Sequence, residues 1–276
     1  MLGRIRREAE SITINRTGIL GVQSISTQYE SVARPLDSLG ITEIQYAPQG
    51  AQTASLQLNT LLTNTLEAGY GGSYSLDVMQ NFTGDIPFSG IIDYGTEKIY
   101  FSQGYMETYS VSCGIGEIPQ TSTTSTIYGD FGTGSFPAQT SETPTSLNIP
   151  SYSSMEVNLD EFSSNRMTSF SVDIATPRVP IYTLNADKPD KVIAGTPIEV
   201  NVNFSLDVDD YKIKNMRFVP DETVFRNATI TLKKNNSDTT LLSYSFDNML
   251  LTSESFQGGV DSNAAANFNL RSFILR

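Results

Sequence analysis

The sequence contains no histidine, no tryptophan and a single cysteine, Cys113, among its 276 residues. Without histidine the chain has no Ser-His or Cys-His nucleophile pair, no imidazole general base and no usual zinc ligand set. One cysteine cannot form a disulfide within the chain, so packing and hydrogen bonds must hold the fold. Cys113 ends an alternating run that starts at Tyr109. Because free cysteine behaves as a small hydrophobe, we predict a buried structural thiol.

Motifs for metal, phosphate or catalytic chemistry are weak. The densest acidic cluster is formed by Asp207, Asp209 and Asp210, with Lys212 close behind. It lacks the glycine and terminal glutamate of an EF-hand loop, which favours a solvated strand end over a metal site. The glycine-rich residues 69–72 lack the lysine of a phosphate-binding loop. Paired carboxylates for glycoside hydrolysis remain open, although such sites normally carry aromatic platforms. We expect no enzyme activity, no cofactor and no metal ion.

The charge is acidic and uneven. The chain carries a formal net charge of -12. Residues 12–130 hold 3 basic and 11 acidic side chains, and residues 151–276 hold 12 basic and 16 acidic ones. Nucleic-acid binders usually have a basic face, so this chain is not expected to attract polyphosphate. Solubility explains the acidic balance most simply. A surface along which nucleic acid slides without sticking is a sharper explanation.

Membrane and export signals are also missing. No apolar stretch approaches the roughly 20 residues of a membrane-spanning helix. The charged residues 1–10 have no apolar core after them, which argues against a secretory signal. We therefore expect no membrane partner and synthesis in a reducing cytosol.

Two segments alternate clearly between apolar and polar residues, as strands do. In residues 198–208 every second side chain is apolar, and residues 55–62 place leucines between polar residues in the same way. Period two predicts strands with one apolar face and one polar face. The polar residues of the two segments are our candidate functional residues: Ser55, Gln57, Asn59, Glu199, Asn201, Asn203, Ser205 and Asp207.

The pattern of residues recurs at an offset of 145. Aligned pairs are Ser24 with Ser169, Ser26 with Ser171, Pro35 with Pro180, Phe101 with Phe246, Ser110 with Ser255, and Gly114 with Gly259. Hydrophobic positions, prolines and glycines coincide while most polar positions drift, which predicts a tandem duplication of a domain-sized unit. We divide the chain into an N-terminal arm (1–11), a first β domain (12–130), a Ser/Thr/Pro-rich linker (131–154) and a second β domain (155–276).

Two segments of the first half resemble a known family. Residues 14–24, Ile-Asn-Arg-Thr-Gly-Ile-Leu-Gly-Val-Gln-Ser, resemble the start of tail tube and related virion proteins of tailed bacteriophages. Residues 109–119 are similar to their strand-turn-strand element, in which Gly-Glu-Ile-Pro precedes a strand of small polar residues. Residues 167–178 and 254–268 are similar to the family's first strand and closing pair of strands. In this second half residues 260–263 read Val-Asp-Ser-Asn in place of Gly-Glu-Ile-Pro.

This resemblance implies an all-β fold of two tandem tail-tube-like domains, each a β-barrel or β-sandwich. It implies a virion structural protein that pairs with itself in a ring, a trimer with pseudo-sixfold symmetry, stacked into the tail tube. The tube would be assembled in the host cytoplasm, contact other tail proteins, and conduct DNA without binding it specifically. The eight candidate residues would then face the channel.

Two alternatives stay open. The same fold could serve as another ring of the virion, a tail terminator, a distal tail protein or a baseplate hub. From a different class, 13 tyrosines and acidic loops keep a carbohydrate-binding adhesion module in view.

Overall fold

The computed structural model describes residues 11–30, 33–36, 45–48, 53–63, 84–95, 97–133, 149–160, 162–184, 186–207, 223–234, 238–259 and 262–274. These residues form strands, turns and extended connections, so the predicted all-β fold is confirmed. No helix in these ranges is long and apolar enough to cross a membrane. Residues 1–10 of the predicted N-terminal arm (1–11) lie outside the described part of the chain, and its last residue, Ser11, begins a strand.

The described ranges contain nineteen strands. In chain order they are β1 (Ser11–Ile14), β2 (Thr17–Ile19), β3 (Val22–Glu30), β4 (Ala33–Leu36), β5 (Gln45–Pro48), β6 (Thr53–Leu61), β7 (Phe88–Asp93), β8 (Lys98–Gly114), β9 (Gln120–Ile127), β10 (Phe131–Gly132), β11 (Pro150–Leu159), β12 (Phe162–Ser164), β13 (Met167–Ala175), β14 (Arg178–Ile181), β15 (Lys191–Ala194), β16 (Ile198–Asp207), β17 (Phe225–Lys234), β18 (Thr240–Gly259) and β19 (Ser262–Ile274). Strand β11 therefore begins inside the predicted linker.

The two long strands β8 and β18 differ from the sequence prediction. Alternation predicts two strands in each region, residues 99–101 and 107–113 in the first half, and 241–246 and 254–257 in the second. The structure joins each pair into one strand. Gln103 and Asn248 adopt left-handed backbone conformations, with φ of 51° and 55°, and a β-bulge follows each of them. A bulge bends and twists a strand without ending it. The alternation of apolar and polar residues is therefore interrupted while the strand continues.

The strands of the two halves, taken as residues 11–133 and 149–274, pair in the same order. The first half runs β2-β1-β7-β8-β9-β6-β3. The second half runs β12-β11-β17-β18-β19-β16-β13. Each half adds a separate two-stranded hairpin, β4·β5 or β14·β15. An antiparallel ladder between β8 and β13 joins the halves into one sheet.

Backbone irregularities also recur 145 residues apart. The bulge between Val22 and Ser24 has a counterpart between Met167 and Ser169. The bulge between Met106 and Thr108 has one between Leu251 and Ser253. Left-handed residues match as well, Asn15 with Asp160 and Gln103 with Asn248. Irregularities of this kind depend on local packing and are retained as specific features of a fold.

The turn after β1 and the turn after β11 use the same hydrogen bonds. The Asn15 main-chain N–H donates to the Ser89 carbonyl (2.8 Å), and the Ser89 N–H donates to Asn15 Oδ1 (3.0 Å). The Asp160 N–H donates to the Asn227 carbonyl (2.9 Å), and the Asn227 N–H donates to Asp160 Oδ1 (3.0 Å). Asn and Asp are the residues that tolerate the left-handed region and cap their own backbone.

The Gly-Glu-Ile-Pro element forms the hairpin turn between β8 and β9. Gly116 has φ of +78°, a conformation that glycine adopts without steric cost. The Glu117 N–H donates to the Gly114 carbonyl (3.1 Å), and Glu117 Oε2 accepts from the Gly114 N–H (3.2 Å). The strand-turn-strand that the sequence predicts here is confirmed.

The main hydrophobic core of the described residues serves both halves. A single cluster of buried side chains extends from Ile12 in β1 to Leu270 in β19. Tyr109 and Tyr244, one from each half, are buried and their hydroxyl groups hydrogen bond at 2.7 Å. The two predicted β domains are thus packed against each other as well as joined through a ladder.

Candidate channel-facing surface

Strand β16 divides its side chains between the core and a polar face. Its residues alternate between buried and partly exposed along the whole strand. The apolar residues are at most 2% exposed: Ile198, Val200, Val202, Phe204 and Leu206. Glu199, Asn201, Asn203, Ser205 and Asp207 lie on the opposite, partly exposed face. The predicted alternation is confirmed up to Asp207, and Val208 lies outside the described residues.

Strand β6 shows the same division. Ala54, Leu56 and Leu58 are buried, while Ser55 and Asn59 are partly exposed and Gln57 is exposed. All eight candidate residues therefore lie on polar strand faces that the period-two pattern predicts.

The ladders bring the two sets of candidates onto one continuous sheet face. One row of directly opposed residues crosses seven strands, from β3 to β19. Its members are Ser24, Asn59, Ser122, Ser110, Asp173, Asn201 and Arg271. Because residues opposed across a ladder point to the same side of the sheet, Asn59 of β6 and Asn201 of β16 share a face. We call this surface, on β3, β6, β9, the C-terminal half of β8, β13, β16, β19 and the C-terminal half of β18, the polar face.

Hydrogen bonds connect the side chains of the polar face to one another. Asn59 Nδ2 donates to Ser24 Oγ (2.9 Å) and Asn203 Nδ2 donates to Ser171 Oγ (3.1 Å). Ser110 Oγ donates to Asp173 Oδ1 (2.6 Å). Further along, the amide of Asn267 bridges Ser205 and Ser255. Such pairs hold short polar side chains against the sheet and satisfy their donors within the protein.

The charges on this face are mainly negative. Glu30, Glu107, Asp173, Glu199 and Asp207 supply carboxylates, and the described residues add one guanidinium, that of Arg271. Arg271 Nη2 lies 2.8 Å from Glu199 Oε1, and its guanidinium stacks 4.5 Å from the centre of the Phe273 ring. The single cation is therefore already paired.

Sequence reasoning missed most of this face, including Asp173 and Arg271. The alternation in β13, where Phe170, Val172 and Ile174 are buried, carries the same signal as β16 and could have identified Asp173. Nothing local could place Arg271 opposite Asn201, because that pairing joins residues 70 positions apart.

A shallow recess of about 480 Å³ lies on the polar face where the two halves meet. Its polar lining comes mostly from serine and asparagine side chains: Ser112, Ser171, Asn203, Ser205, Asn267 and Asn269. The recess is lined from β8, β13, β16 and β19, so the polar face is locally concave across the junction of the halves.

Cys113 lies beneath this surface, on the core side of β8. It is 6% exposed, which confirms the predicted burial. Removal from water raises the pKa of the Cys113 thiol to about 11, and the nearby Glu117 charge adds to the shift. A thiol with a raised pKa holds little thiolate near neutral pH and is a poor nucleophile. Its geometry supports a structural role.

Among the described residues, no group of three or more Cys, Asp or Glu side chains is placed to hold a metal ion. Asp209 and Asp210 of the acidic cluster lie outside them.

No protein-family model matches the chain, and no curated protein matches it with a significant score.

Proposed function

We propose that this chain is a virion structural protein of a tailed bacteriophage, in which three copies form a ring and stacked rings form the tail tube. In this proposal the chain is a tandem duplication, so that three chains supply six similar units around the ring. The polar face lines the lumen through which the genome leaves the head. The chain acts as a structural conduit, without catalysis, in contact with other tail proteins.

The matching halves support the duplication. Seven strands pair in the same order in each half, and two bulges and two left-handed residues recur at the offset of 145 that the sequence displays. If each chain supplies two similar units, a ring of six units needs only three chains. Closed cyclic symmetry of this kind is common among homo-oligomers.

The continuous polar face carries the proposal of a conduit. A surface that conducts DNA should not capture phosphates, because each captured phosphate slows the passage of the strand. On the polar face, hydroxyl and amide side chains hydrogen bond to one another beside five carboxylates and a cation already paired to Glu199. Its carboxylates repel phosphate, and its hydroxyl and amide groups already hydrogen bond to one another.

The first test is the shape of the assembled protein. Concentrated, purified chain should give rings or hollow tubes with a central channel in negative-stain electron microscopy. Only monomers by sedimentation at the same concentration would contradict the proposal. Copy number in purified virions, measured by gel densitometry, separates a tube protein from a terminator, distal tail or baseplate ring. Retention of monomers on a glycan array would favour the carbohydrate-binding alternative.

The second test changes the charge of the polar face. Gln57 and Asn269 are exposed there, so replacing both by lysine should change stability little. Particles built from the double variant should eject DNA more slowly, because rings of new cations attract the passing phosphates. The delay should shrink with salt, as the Debye length falls from about 10 Å at 0.1 M to about 3 Å at 1 M.

The control for this test is Leu184→Lys, since Leu184 is 99% exposed and follows β14, a strand that is not part of the polar face. This variant should eject DNA at the normal rate. Equal ejection rates for the double lysine variant and the wild type at low salt would place the polar face outside the lumen.

A further inference from the structure

The ladder between β8 and β13 shows how one half of the molecule attaches to the other. Seven residues of β13, from Ser169 to Ala175, oppose residues 114 to 108 of β8 in antiparallel register. The contact continues beyond the ladder, where Arg178 Nε donates to the Met106 carbonyl (2.8 Å) and the Thr176 N–H donates to the Glu107 carbonyl (2.7 Å). The second half thus attaches its β13 edge to the β8 edge of the first.

The counterpart of β13 and the end of the counterpart of β8 lie at edges of the described sheet. Strand β3 occupies the position in the first half that β13 occupies in the second, and β18 corresponds to β8. In the part of the chain that the structure describes, β3 forms a ladder with β6 alone, and residues 253–259 of β18 form one with β19 alone. Each molecule therefore presents one edge equivalent to that of β13 and one equivalent to that of β8, the two edges that join its own halves.

The burial of side chains differs between the joined and the outer strands. Phe170, Val172 and Ile174 of β13 are at most 3% exposed. Their counterparts in β3, 145 residues earlier, are Ile25 and Thr27, which are partly exposed, and Tyr29, which is 48% exposed. Tyr29 stacks on Phe131 with 6.4 Å between ring centres, but the core side of β3 lacks the cover that β8 gives to β13.

The outer edge of β18 shows the same deficit. Val111 and Cys113 of β8 are buried, whereas their counterparts, Phe256 and Gly258, are partly exposed and exposed. Glu254, the counterpart of buried Tyr109, has a side chain that is 1% exposed although the residue as a whole is partly exposed. Its exposed atoms are therefore main-chain atoms along the outer edge of the strand.

We propose that β3 of one chain pairs with β18 of the next in the register of the β8·β13 ladder. Applying the offset of 145 to both strands opposes Ser24 with Gly259, Ser26 with Gln257, Thr27 with Phe256, Gln28 with Ser255, and Glu30 with Ser253 of the neighbouring chain. This inference rests on the proposed ring and specifies the contact between its subunits. Added strands of this kind satisfy main-chain groups at an open sheet edge.

The side chains fit this register. Phe256 would cover the space beside Thr27, on the core side where Val111 lies opposite Val172 within the chain. On the polar face, Gln28 and Ser255 would take the places of Asp173 and Ser110, whose side chains hydrogen bond at 2.6 Å. The new ladder would continue the polar face from one chain to the next without a gap.

The contact is heterologous, since it joins two different edges of the same molecule. A heterologous contact closes into a ring when its rotation divides the circle and otherwise grows into a filament. In the proposed contact, the rotation from one chain's half to the neighbouring chain's half would equal the rotation that relates the two halves within a chain. In a trimer, three junctions within chains would alternate with three between chains.

Paired cysteines test the register. The in-register double variants are Gln28→Cys with Ser255→Cys, and Ser26→Cys with Gln257→Cys. The mismatched controls exchange the partners, Gln28→Cys with Gln257→Cys, and Ser26→Cys with Ser255→Cys. Directly opposed residues place their Cβ atoms about 4.5–5.5 Å apart, while diagonal ones are about 7–8 Å apart, beyond ordinary disulfide geometry. Native Cys113 is buried, and the unmodified chain serves as its control.

After mild oxidation, the in-register variants should run as chain-to-chain disulfide species up to the ring size on non-reducing gels, at least fivefold more than the mismatched controls. Equal cross-linking in all four variants, or none in any, overturns the proposed register. Electron microscopy of the same samples separates the two ideas. Hollow tubes without in-register cross-links would support the proposed function and contradict this ladder. In-register cross-links in particles without a channel would support the ladder and contradict the proposed function.

Discussion

Replacing Arg226 by methionine should lower the free energy of unfolding by about 3–5 kcal/mol. The Arg226 side chain is 3% exposed and contacts two carboxylates, with Nη1 3.2 Å from Asp160 Oδ2 and Nη2 3.4 Å from Glu254 Oε2. The Glu254 side chain is only 1% exposed. Methionine fills much of the same volume but leaves that carboxylate buried without its cation, which is the costly outcome for a buried ion pair.

The first half offers a comparison for this cluster. Phe88 and Tyr109 occupy the strand positions that correspond to Arg226 and Glu254, and Asn15 corresponds to Asp160. A neutral cluster is thus compatible with this fold. The triple variant Arg226→Met, Asp160→Asn, Glu254→Gln should recover a large part of the lost stability, because no buried charge is left uncompensated.

Urea unfolding at equal chain concentration measures both variants. An Arg226→Met variant as stable as the wild type would show that the guanidinium does not compensate the buried carboxylates. A triple variant no better than the single one would instead assign the loss to packing.

Replacing Phe204 by alanine should lower the free energy of unfolding by about 3–5 kcal/mol. Phe204 is 2% exposed, and its ring stacks on Phe268 of the neighbouring strand with 4.8 Å between ring centres. Phe170 is opposed to it on the other side. Alanine would leave a cavity between three adjacent strands, and the loss of buried apolar surface adds to the cost of that cavity.

Asn203→Ala is the matched control, on the same strand and the opposite face. Asn203 is partly exposed and donates one hydrogen bond to Ser171 Oγ, so its loss should cost about 1 kcal/mol or less. Urea unfolding of both variants gives the comparison. A larger loss for Asn203→Ala than for Phe204→Ala would mean that the two faces of β16 are reversed in the folded protein.

Much of the local structure follows from the sequence. The alternation in β6 and β16 predicts both the strands and the faces of their side chains. The run that ends at Cys113 predicts a buried thiol, and the resemblance of residues 109–119 to tail tube proteins implies a strand-turn-strand. These features depend on neighbours in the chain, since successive side chains of a strand point to opposite faces whatever the strand pairs with.

The buried ion cluster illustrates what the sequence could not predict. Arg226 lies in phase with the buried apolar residues of β17, such as Ala228 and Ile230, yet a charged residue in a strand is normally expected to face solvent. Its partners lie 66 and 28 residues away in the chain. Only the packing of β17 against the turn after β11 and against β18 brings the three side chains together.

The sequence by itself determined that this is an all-β chain with two-faced strands, an acidic balance and a residue pattern that recurs after 145 positions. The tertiary structure decided which strand edges meet: β8 takes β13 as a neighbour, the polar residues of β6 and β16 share one face, and β3 and the end of β18 lie at edges of the described sheet. The reason is physical. The direction of a side chain is set by the local geometry of its strand, whereas the choice of a pairing partner is set by long-range packing that no local pattern contains.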